Sequence, residues 1–236
     1  MALFNDFQES KARTGKGSGI YTDYFRTDGK FALLLPTVDT PFITSEIGEI
    51  EVKVSSSSTV TKIEGTETLN AAETTVYMHR DNIRLLEKVN GKTINIIAMA
   101  GDFTGYKSSV TVSYSPNSAA MDDAWQGTIK LTPVTKPEFV DNCYPQVIPT
   151  AHFASAIPAL LELKVGAKHE FTVETKPTTA SITVASGSAT TATATAEEGK
   201  VSIEAKAEGS CVVTYKTNLD GYAEWETTTL VIVSAA

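Results

Sequence analysis

Residues 190–216 read TTATATAEEGKVSIEAKAEGSCVVTYK, and small or β-branched side chains alternate with polar ones through most of this segment. The alternating runs are Thr190–Ala196, Lys200–Ala207 and Cys211–Lys216. A period of two is typical of a β-strand that has one face in water. Between the first two runs, Glu197-Glu198-Gly199 predicts a hairpin turn, since glycine accepts the positive φ that such turns need. The segment therefore indicates a series of short strands joined by turns.

The same pattern extends over the C-terminal third of the chain. From Leu161 onward the sequence has no helical period, and Ser181–Ala185 is a further alternating run. Leu230–Val233 is a final, fully apolar run. Short strands at regular spacing, separated by turn signals, predict a small β-sandwich over residues 160–236.

The C-terminal segment resembles the group 2 bacterial immunoglobulin-like domains of the intimin and invasin type. Leu161–Gly166, followed by Phe171-x-Val173 and Pro177, resembles the opening strand pair of that family. Glu198–Val201 resembles its hairpin, and Ala207–Val213 the element that follows. Val231-x-Val233 resembles its last strand, whereas the usual Val-Ala-x-Val before the hairpin is replaced by Thr191–Thr195. The resemblance implies an immunoglobulin-like fold, of a kind found in adhesins, in surface-layer proteins and as appendages on tailed-phage virion proteins.

The N-terminal part begins with polar and glycine-rich residues. Residues 1–30, with Gly15–Gly19 at their middle, predict a flexible arm. A short apolar strand is expected at Phe31–Pro36, and Ile47–Val54 alternates as a strand with one wet face does. The polar residues Glu64–Thr75 then predict a long loop.

One helix is predicted, and strands follow it. Asp81 is the expected cap of a helix over Asp81–Val89, which Asn90-Gly91 stops. The strands after it are expected at Lys92–Ala98, Ser108–Ser115 and Gly127–Pro133. The fold class is thus mainly β, with an N-terminal antiparallel β-barrel or sandwich, one short α-helix and a C-terminal immunoglobulin-like β-sandwich.

Prolines at positions 133, 137, 145, 149 and 158 mark a linker between two domains. The predicted boundaries are residues 1–150 for the first domain, which includes the arm, 151–159 for the proline-containing linker, and 160–236 for the second domain.

The net negative charge of the chain disfavours binding to polyanions such as nucleic acid. The chain has 236 residues and a formal charge of −8. Residues 1–155 carry 14 basic and 18 acidic side chains, and residues 156–236 carry 6 and 10, so each part is near −4. Neither part is a basic arm for nucleic acid or an anionic membrane. We expect no signal peptide and no membrane span, because no apolar run approaches the roughly 20 residues that a bilayer requires.

Side chains that could perform catalysis are scattered. His79, His152 and His169 have no metal-binding or catalytic motif around them. Asp122-Asp123 lacks the spacing of a calcium loop, and Gly15–Gly19 lacks the spacing of a phosphate loop. We therefore expect no catalytic residue, no metal and no cofactor, and the chain is not expected to be an enzyme.

The two cysteines, Cys143 and Cys211, fall in different predicted domains. Two cysteines are too few for a disulfide framework, so both are expected to be reduced.

The N-terminal 150 residues resemble the major tail (tail tube) proteins of long-tailed phages. The matching order is an arm, a strand pair, the long loop Glu64–Thr75, the single helix Asp81–Val89, and antiparallel strands ending in the proline-rich Thr132–Pro149. A tail tube domain with an appended immunoglobulin-like domain is a known arrangement in such phages.

The resemblance implies that copies of the chain form stacked hexameric rings, with DNA passing through the lumen without specific binding. Tape-measure and terminator proteins would be further partners, and the immunoglobulin-like domain would project outward and contact the host cell surface. The implied location is the virion tail, assembled in the host cytoplasm. The arm and the long loop would be the assembly devices, with these candidate residues: Lys11, Arg13, Lys16, Glu64, Thr66, Glu67, Leu69 and Asn70.

Two alternatives stay open. One is another virion structural protein, such as a capsid subunit, a decoration protein or a tail terminator. The other is a secreted adhesin or a surface-layer fragment, which predicts an export signal or an anchor.

Overall fold

The computed structural model describes residues 18–53, 60–117 and 124–235. The chain divides into two compact units, Met1–Val147 and Ile148–Ala236. Both are built almost entirely from β-strands, so the prediction of a mainly β fold is confirmed.

The first unit contains nine strands and one helix among its described residues. Their bounds are β1 Gly19–Thr22, β2 Ala32–Leu33, β3 Thr44–Lys53, β4 Val60–Asn70, β5 Ala72–Tyr77, α1 Arg80–Val89, β6 Thr93–Met99, β7 Gly105–Pro116, β8 Gln126–Pro133 and β9 Glu138–Val140. Seven strands form the main antiparallel sheet, in the order β2-β1-β6-β7-β8-β5, with β9 paired to the first residues of β7. Strands β3 and β4 pair only with each other within the described part of the chain.

Strand β6 is the centre of this unit because both of its faces are buried. Ile94 and Ile96 join the larger core, which also contains the helix residues Leu86 and Val89. Ile97 is instead part of a smaller cluster on the opposite face. Because both faces of this central strand are buried, its sequence, TINIIAM, is apolar almost throughout.

Helix α1 begins one residue earlier than predicted and is capped differently. Its N-cap is His79, which makes no side-chain capping bond, and Asp81 lies inside the first turn. The prediction of an Asp81 cap is therefore wrong. The Asp81 carboxylate in the first turn still interacts favourably with the positive end of the helix dipole. The predicted stop is confirmed, since Asn90 is the C-cap and Gly91 has a φ of +70°.

Two predictions about irregular segments of this unit are wrong. The polar segment Glu64–Thr75 is not a loop, because it forms most of β4 and the start of β5. Within the predicted arm, residues 19–22 form β1, which lies between β2 and β6, and Ile20 is fully buried there. A side chain at Gly19 would place its Cβ 2.9 Å from Leu33 Cδ1, so this glycine permits close packing.

The second unit contains the other nine strands. Their bounds are β10 His152–Phe153, β11 Leu160–Lys164, β12 Lys168–Thr172, β13 Thr175–Lys176, β14 Ser181–Ser186, β15 Ala192–Glu197, β16 Lys200–Ala205, β17 Gly209–Asn218 and β18 Glu226–Ser234. One sheet has the order β11-β18-β17-β14 and the other β12-β16-β15, while β10 and β13 form a separate pair.

These two sheets form an immunoglobulin-like sandwich. Strands β14, β17 and β18 correspond to C, F and G of that fold, and β12, β16 and β15 to B, E and D. The opening strand β11 pairs in parallel with β18, with Leu161 opposite Val231. The inner faces share one core, to which Val201 and Val213 contribute from opposite sheets.

The predicted hairpin turn at residues 197–199 is confirmed. Strand β15 ends at Glu197 and β16 begins at Lys200. Both residues between them have positive φ, +47° at Glu198 and +78° at Gly199. Positive φ at both central residues is what a type I′ turn requires.

The prediction of a linker at residues 151–159 is wrong, because these residues are hydrogen-bonded into the second unit. Phe153 lies in β10 and pairs with β13. The buried hydroxyl of Thr217 donates to Ala151 O at 2.6 Å. Thr229 Oγ1 donates to Pro158 O, also at 2.6 Å. Pro149 and Pro158 therefore lie beside short extended segments of the second unit, whereas Pro133 ends β8 in the first unit.

Candidate assembly surface

The β3–β4 hairpin is the candidate assembly surface of the first unit. Its strands have ten and eleven residues, and a ten-residue strand is about 33 Å long. None of the hairpin side chains that the structure describes is buried, and Ile47 is 55 % exposed. An isolated two-stranded hairpin is marginally stable in water, and its outer edges carry unpaired N–H and C=O groups that can pair with another chain.

The hairpin is acidic. Strands β3 and β4 carry five glutamates and two lysines, a net charge of −3. The register places Glu49 directly opposite Glu64, and like charges in that position destabilise a strand pair.

One ion pair attaches the hairpin to the segment between β8 and β9. Lys136 Nζ lies 2.8 Å from Glu67 Oε1. The hydrogen bond from Lys136 and, to a smaller extent, the one from Ser45 hold the pKa of Glu67 below its ordinary value. The base of the hairpin is thus fixed to the rest of the first unit.

The predicted assembly residues of β4 lie along one strand instead of in a loop. Glu64 and Thr66 are exposed, while Glu67, Leu69 and Asn70 are half-buried. The structure thus brings these five residues together on one edge of the hairpin. The other predicted assembly residues, Lys11, Arg13 and Lys16, lie outside the described residues.

Sequence reasoning missed a second exposed surface, the aromatic patch formed by Phe42, Tyr106 and Phe139. Their exposed fractions are 40 %, 38 % and 56 %. The Tyr106 ring lies 6.0 Å from the Phe42 ring and 5.6 Å from the Phe139 ring, both edge to face. Tyr106 and Phe139 are directly opposite in the β7–β9 pair, a pairing that the sequence signals only through the short run Glu138–Val140.

The histidines and cysteines do not converge. His79 and His152 are exposed, and His169 is half-buried in the second unit beside Phe171. Cys143 and Cys211 are buried and free, and burial raises the pKa of the Cys143 thiol. In residues 18–53, 60–117 and 124–235 no group of three or more His, Cys, Asp or Glu side chains could hold a metal ion. Asp122-Asp123 lies outside these residues.

The outer face of the β12-β16-β15 sheet forms a shallow polar groove. Lysine, glutamate and threonine side chains line it, and Lys168 Nζ is paired with Glu170 Oε1 at 2.5 Å. This pairing lowers the pKa of Glu170 and raises that of Lys168. The groove therefore already neutralises part of its own charge.

Across the described chain, α1 is too short and too polar to cross a lipid bilayer, and no other helix is present there.

Comparisons with known proteins give low similarity. No protein-family model matches the sequence, and no curated protein sequence matches it. A chain of the virion of a native gene transfer agent particle is similar over 55 % of this chain and 99 % of its own, with 13 % identity and a TM-score of 0.42. Domains 4 and 5 of the S-layer protein SbsC are similar over 46 % of this chain and 65 % of their own, with 22 % identity and a TM-score of 0.29. Tandem immunoglobulin repeats of Dlar are similar over 56 % and 89 %, with 10 % identity and a TM-score of 0.31. Since every TM-score is below 0.5, these similarities carry no argument about function.

Proposed function

We propose that this protein is a structural subunit of a tailed-phage virion, a tail tube subunit whose copies assemble into stacked rings through the β3–β4 hairpin. The observation that carries the proposal is the hairpin itself, which is long, has no buried side chain among those that the structure describes, and pairs with no strand of the main sheet. Such an element is stabilised when a neighbouring copy covers its apolar side chains and pairs with its edges.

The charge of the hairpin supports a contact between copies. Its net −3 is complementary to the run Lys11, Arg13 and Lys16, which contains no acidic residue. Complementary charges steer association and fix register more than they add affinity. We therefore propose that the basic run of one copy meets the acidic hairpin of the next.

The role is structural and not enzymatic, and no cofactor is needed for it. Tape-measure and terminator proteins would be the other partners. An acidic first unit suits a lumen through which DNA passes, because a surface that does not bind phosphates lets the DNA slide. The immunoglobulin-like unit would lie outside the tube, in the tail of a virion assembled in the host cytoplasm.

Negative-stain microscopy of the purified chain tests the proposal. We expect rings or tubes, alone or after addition of assembly partners. In the matched variant, residues 48–66 are replaced by Asn-Gly, which keeps Ile47 opposite Glu67 and keeps the Glu67–Lys136 ion pair. This variant should fold and stay monomeric. Tubes of normal appearance from the variant would exclude the hairpin as the contact.

A bacterial surface adhesin is the second candidate, favoured by the immunoglobulin-like sandwich of the second unit. An adhesin would bind cell-surface material as a monomer, whereas a tube subunit must polymerise. Strictly monomeric behaviour together with binding to cells would favour the adhesin.

A further inference from the structure

The aromatic patch continues a buried face of the main sheet. The register runs across four strands, from Ile20 to Ala98, to Tyr106 and to Phe139. Residues directly opposite on neighbouring strands place their side chains on the same face. Ile20 and Ala98 are 0 % and 1 % exposed on that face. The burial of this row ends after Ala98, since Tyr106 and Phe139 are 38 % and 56 % exposed, and Phe42, which packs on Tyr106, is 40 % exposed.

Residues 1–17 join the described chain beside this row. They lead through Ser18 into β1, where Ile20 begins the row that ends at Phe139. Three strand spacings of about 4.8 Å separate Ile20 from Phe139, a distance of about 14 Å. The twelve residues 8–19 can span up to about 40 Å when extended, so Phe7 can reach every ring of the patch.

The sequence before this connection carries the matching chemistry. Residues 3–7 read LFNDF, with Leu3, Phe4 and Phe7 as large apolar side chains. The ten residues that follow are mostly polar or glycine and include Lys11 and Arg13. Two aromatic side chains that pack on aromatic rings gain from edge-to-face contacts in addition to the area they bury.

We propose that Leu3–Phe7 packs on the aromatic patch of the same copy. The short connection favours the same copy, because a linker of this length gives an effective concentration in the millimolar range. The segment would complete the cover of the sheet's apolar face, and the basic residues of the connection would lie outside this contact, accessible to the acidic hairpin of a neighbouring copy. The inference does not rest on the tube function, since it concerns the single subunit.

Photo-crosslinking of the full chain tests the proposal. Benzoylphenylalanine replaces Phe4, and the products of an equal mixture of ¹⁴N- and ¹⁵N-labelled chains are identified by mass spectrometry. We expect crosslinks to peptides that contain Phe42, Tyr106 or Phe139, all within one isotope. Crosslinks of mixed isotope, or crosslinks to other parts of the chain, would overturn the proposal.

A variant of the aromatic patch provides a second test of the proposal. Phe42→Ser with Phe139→Ser removes exposed rings, so the chain should still fold, which circular dichroism checks. The crosslink yield should fall by about tenfold, as expected when an interface loses its aromatic anchors. An unchanged yield would contradict the proposal. Deuterium uptake over β9 should also rise in the variant Leu3→Ser/Phe4→Ser/Phe7→Ser and stay unchanged in Asn5→Ser/Gln8→Ser.

Discussion

Tyr215 places a hydroxyl inside the core of the immunoglobulin-like sandwich. The side chain is fully buried, and in the described structure its hydroxyl has no hydrogen-bond partner. Thr229 is the polar side chain beside it; the Thr229 hydroxyl donates to Pro158 O and partly offsets the effect of burial on the pKa of Tyr215. Burial raises the pKa of Tyr215. A buried polar group without a partner costs about 1–3 kcal/mol of stability.

We predict that Tyr215→Phe leaves the free energy of unfolding unchanged or raises it by about 1 kcal/mol, because the unpaired hydroxyl is removed and the ring is kept. Tyr215→Ala is the control and should cost about 3–5 kcal/mol, since it also removes the ring that packs against Phe171. Urea denaturation measures both. Destabilisation by Tyr215→Phe of more than about 1 kcal/mol would show that the hydroxyl is bonded.

The ion pair between Glu67 and Lys136 predicts a pH dependence. The folded pKa of Glu67 is lower than its unfolded value, so the carboxylate form is favoured by folding. Its contribution to stability is therefore present above the unfolded pKa and is lost as pH falls through the folded pKa. Carboxyl NMR titration should show the low pKa, and Lys136→Met should raise it. An unchanged pKa in that variant would remove Lys136 as the main cause.

Among the elements, the strands that bury one face in the core and expose the other were the easiest to predict from the sequence. The alternation in residues 190–216 gave β15, β16 and β17 with their turn, because β16 and β17 bury every second side chain over most of their length and β15 alternates half-buried with exposed ones toward its end. Most of strand β4 was instead predicted as a loop, since residues 64–70 have no buried side chain and only one large apolar one, Leu69, so they show no apolar period. The same lack of burial makes the hairpin a candidate for a contact with another chain.

The turn between β15 and β16 yields a prediction for an element. Glu198 adopts a φ of +47°, which costs a residue with a Cβ about 1–2 kcal/mol unless it is Asn or Asp. Glu198→Asn should therefore stabilise the second unit by about 0.5–1 kcal/mol in thermal denaturation. Glu197→Asn, within β15, is the matched control and should not stabilise it. Equal effects of the two changes would contradict a type I′ turn.

At the scale of the whole molecule, the fold class and the existence of two units were predictable, but the position of the boundary was not. Proline frequency suggested residues 151–159, because proline is common in linkers. Proline also occurs beside edge strands, and here it flanks the short strand β10. The hydroxyls of Thr217 and Thr229, which bind this segment, lie about 60 residues or more away in sequence and give no local signal.

We predict that the fragments 1–147 and 148–236 each fold alone, and that 1–147 still assembles. Fragment 160–236 should be less stable than 148–236 by at least about 2 kcal/mol, since it loses hydrogen bonds of two buried threonines and the cover of Phe153. Denaturation of the two C-terminal fragments measures the difference. Equal stabilities would restore residues 151–159 as a linker.

Hydrogen exchange of the hairpin, compared between free and assembled protein, tests most directly whether copies join through β3 and β4. We expect amides in residues 44–53 and 60–70 to exchange quickly in the monomer. In rings or tubes the same amides should be protected by at least about tenfold, because a neighbouring copy then pairs with their edges. Equal exchange in the two states would exclude β3 and β4 as the contact between copies.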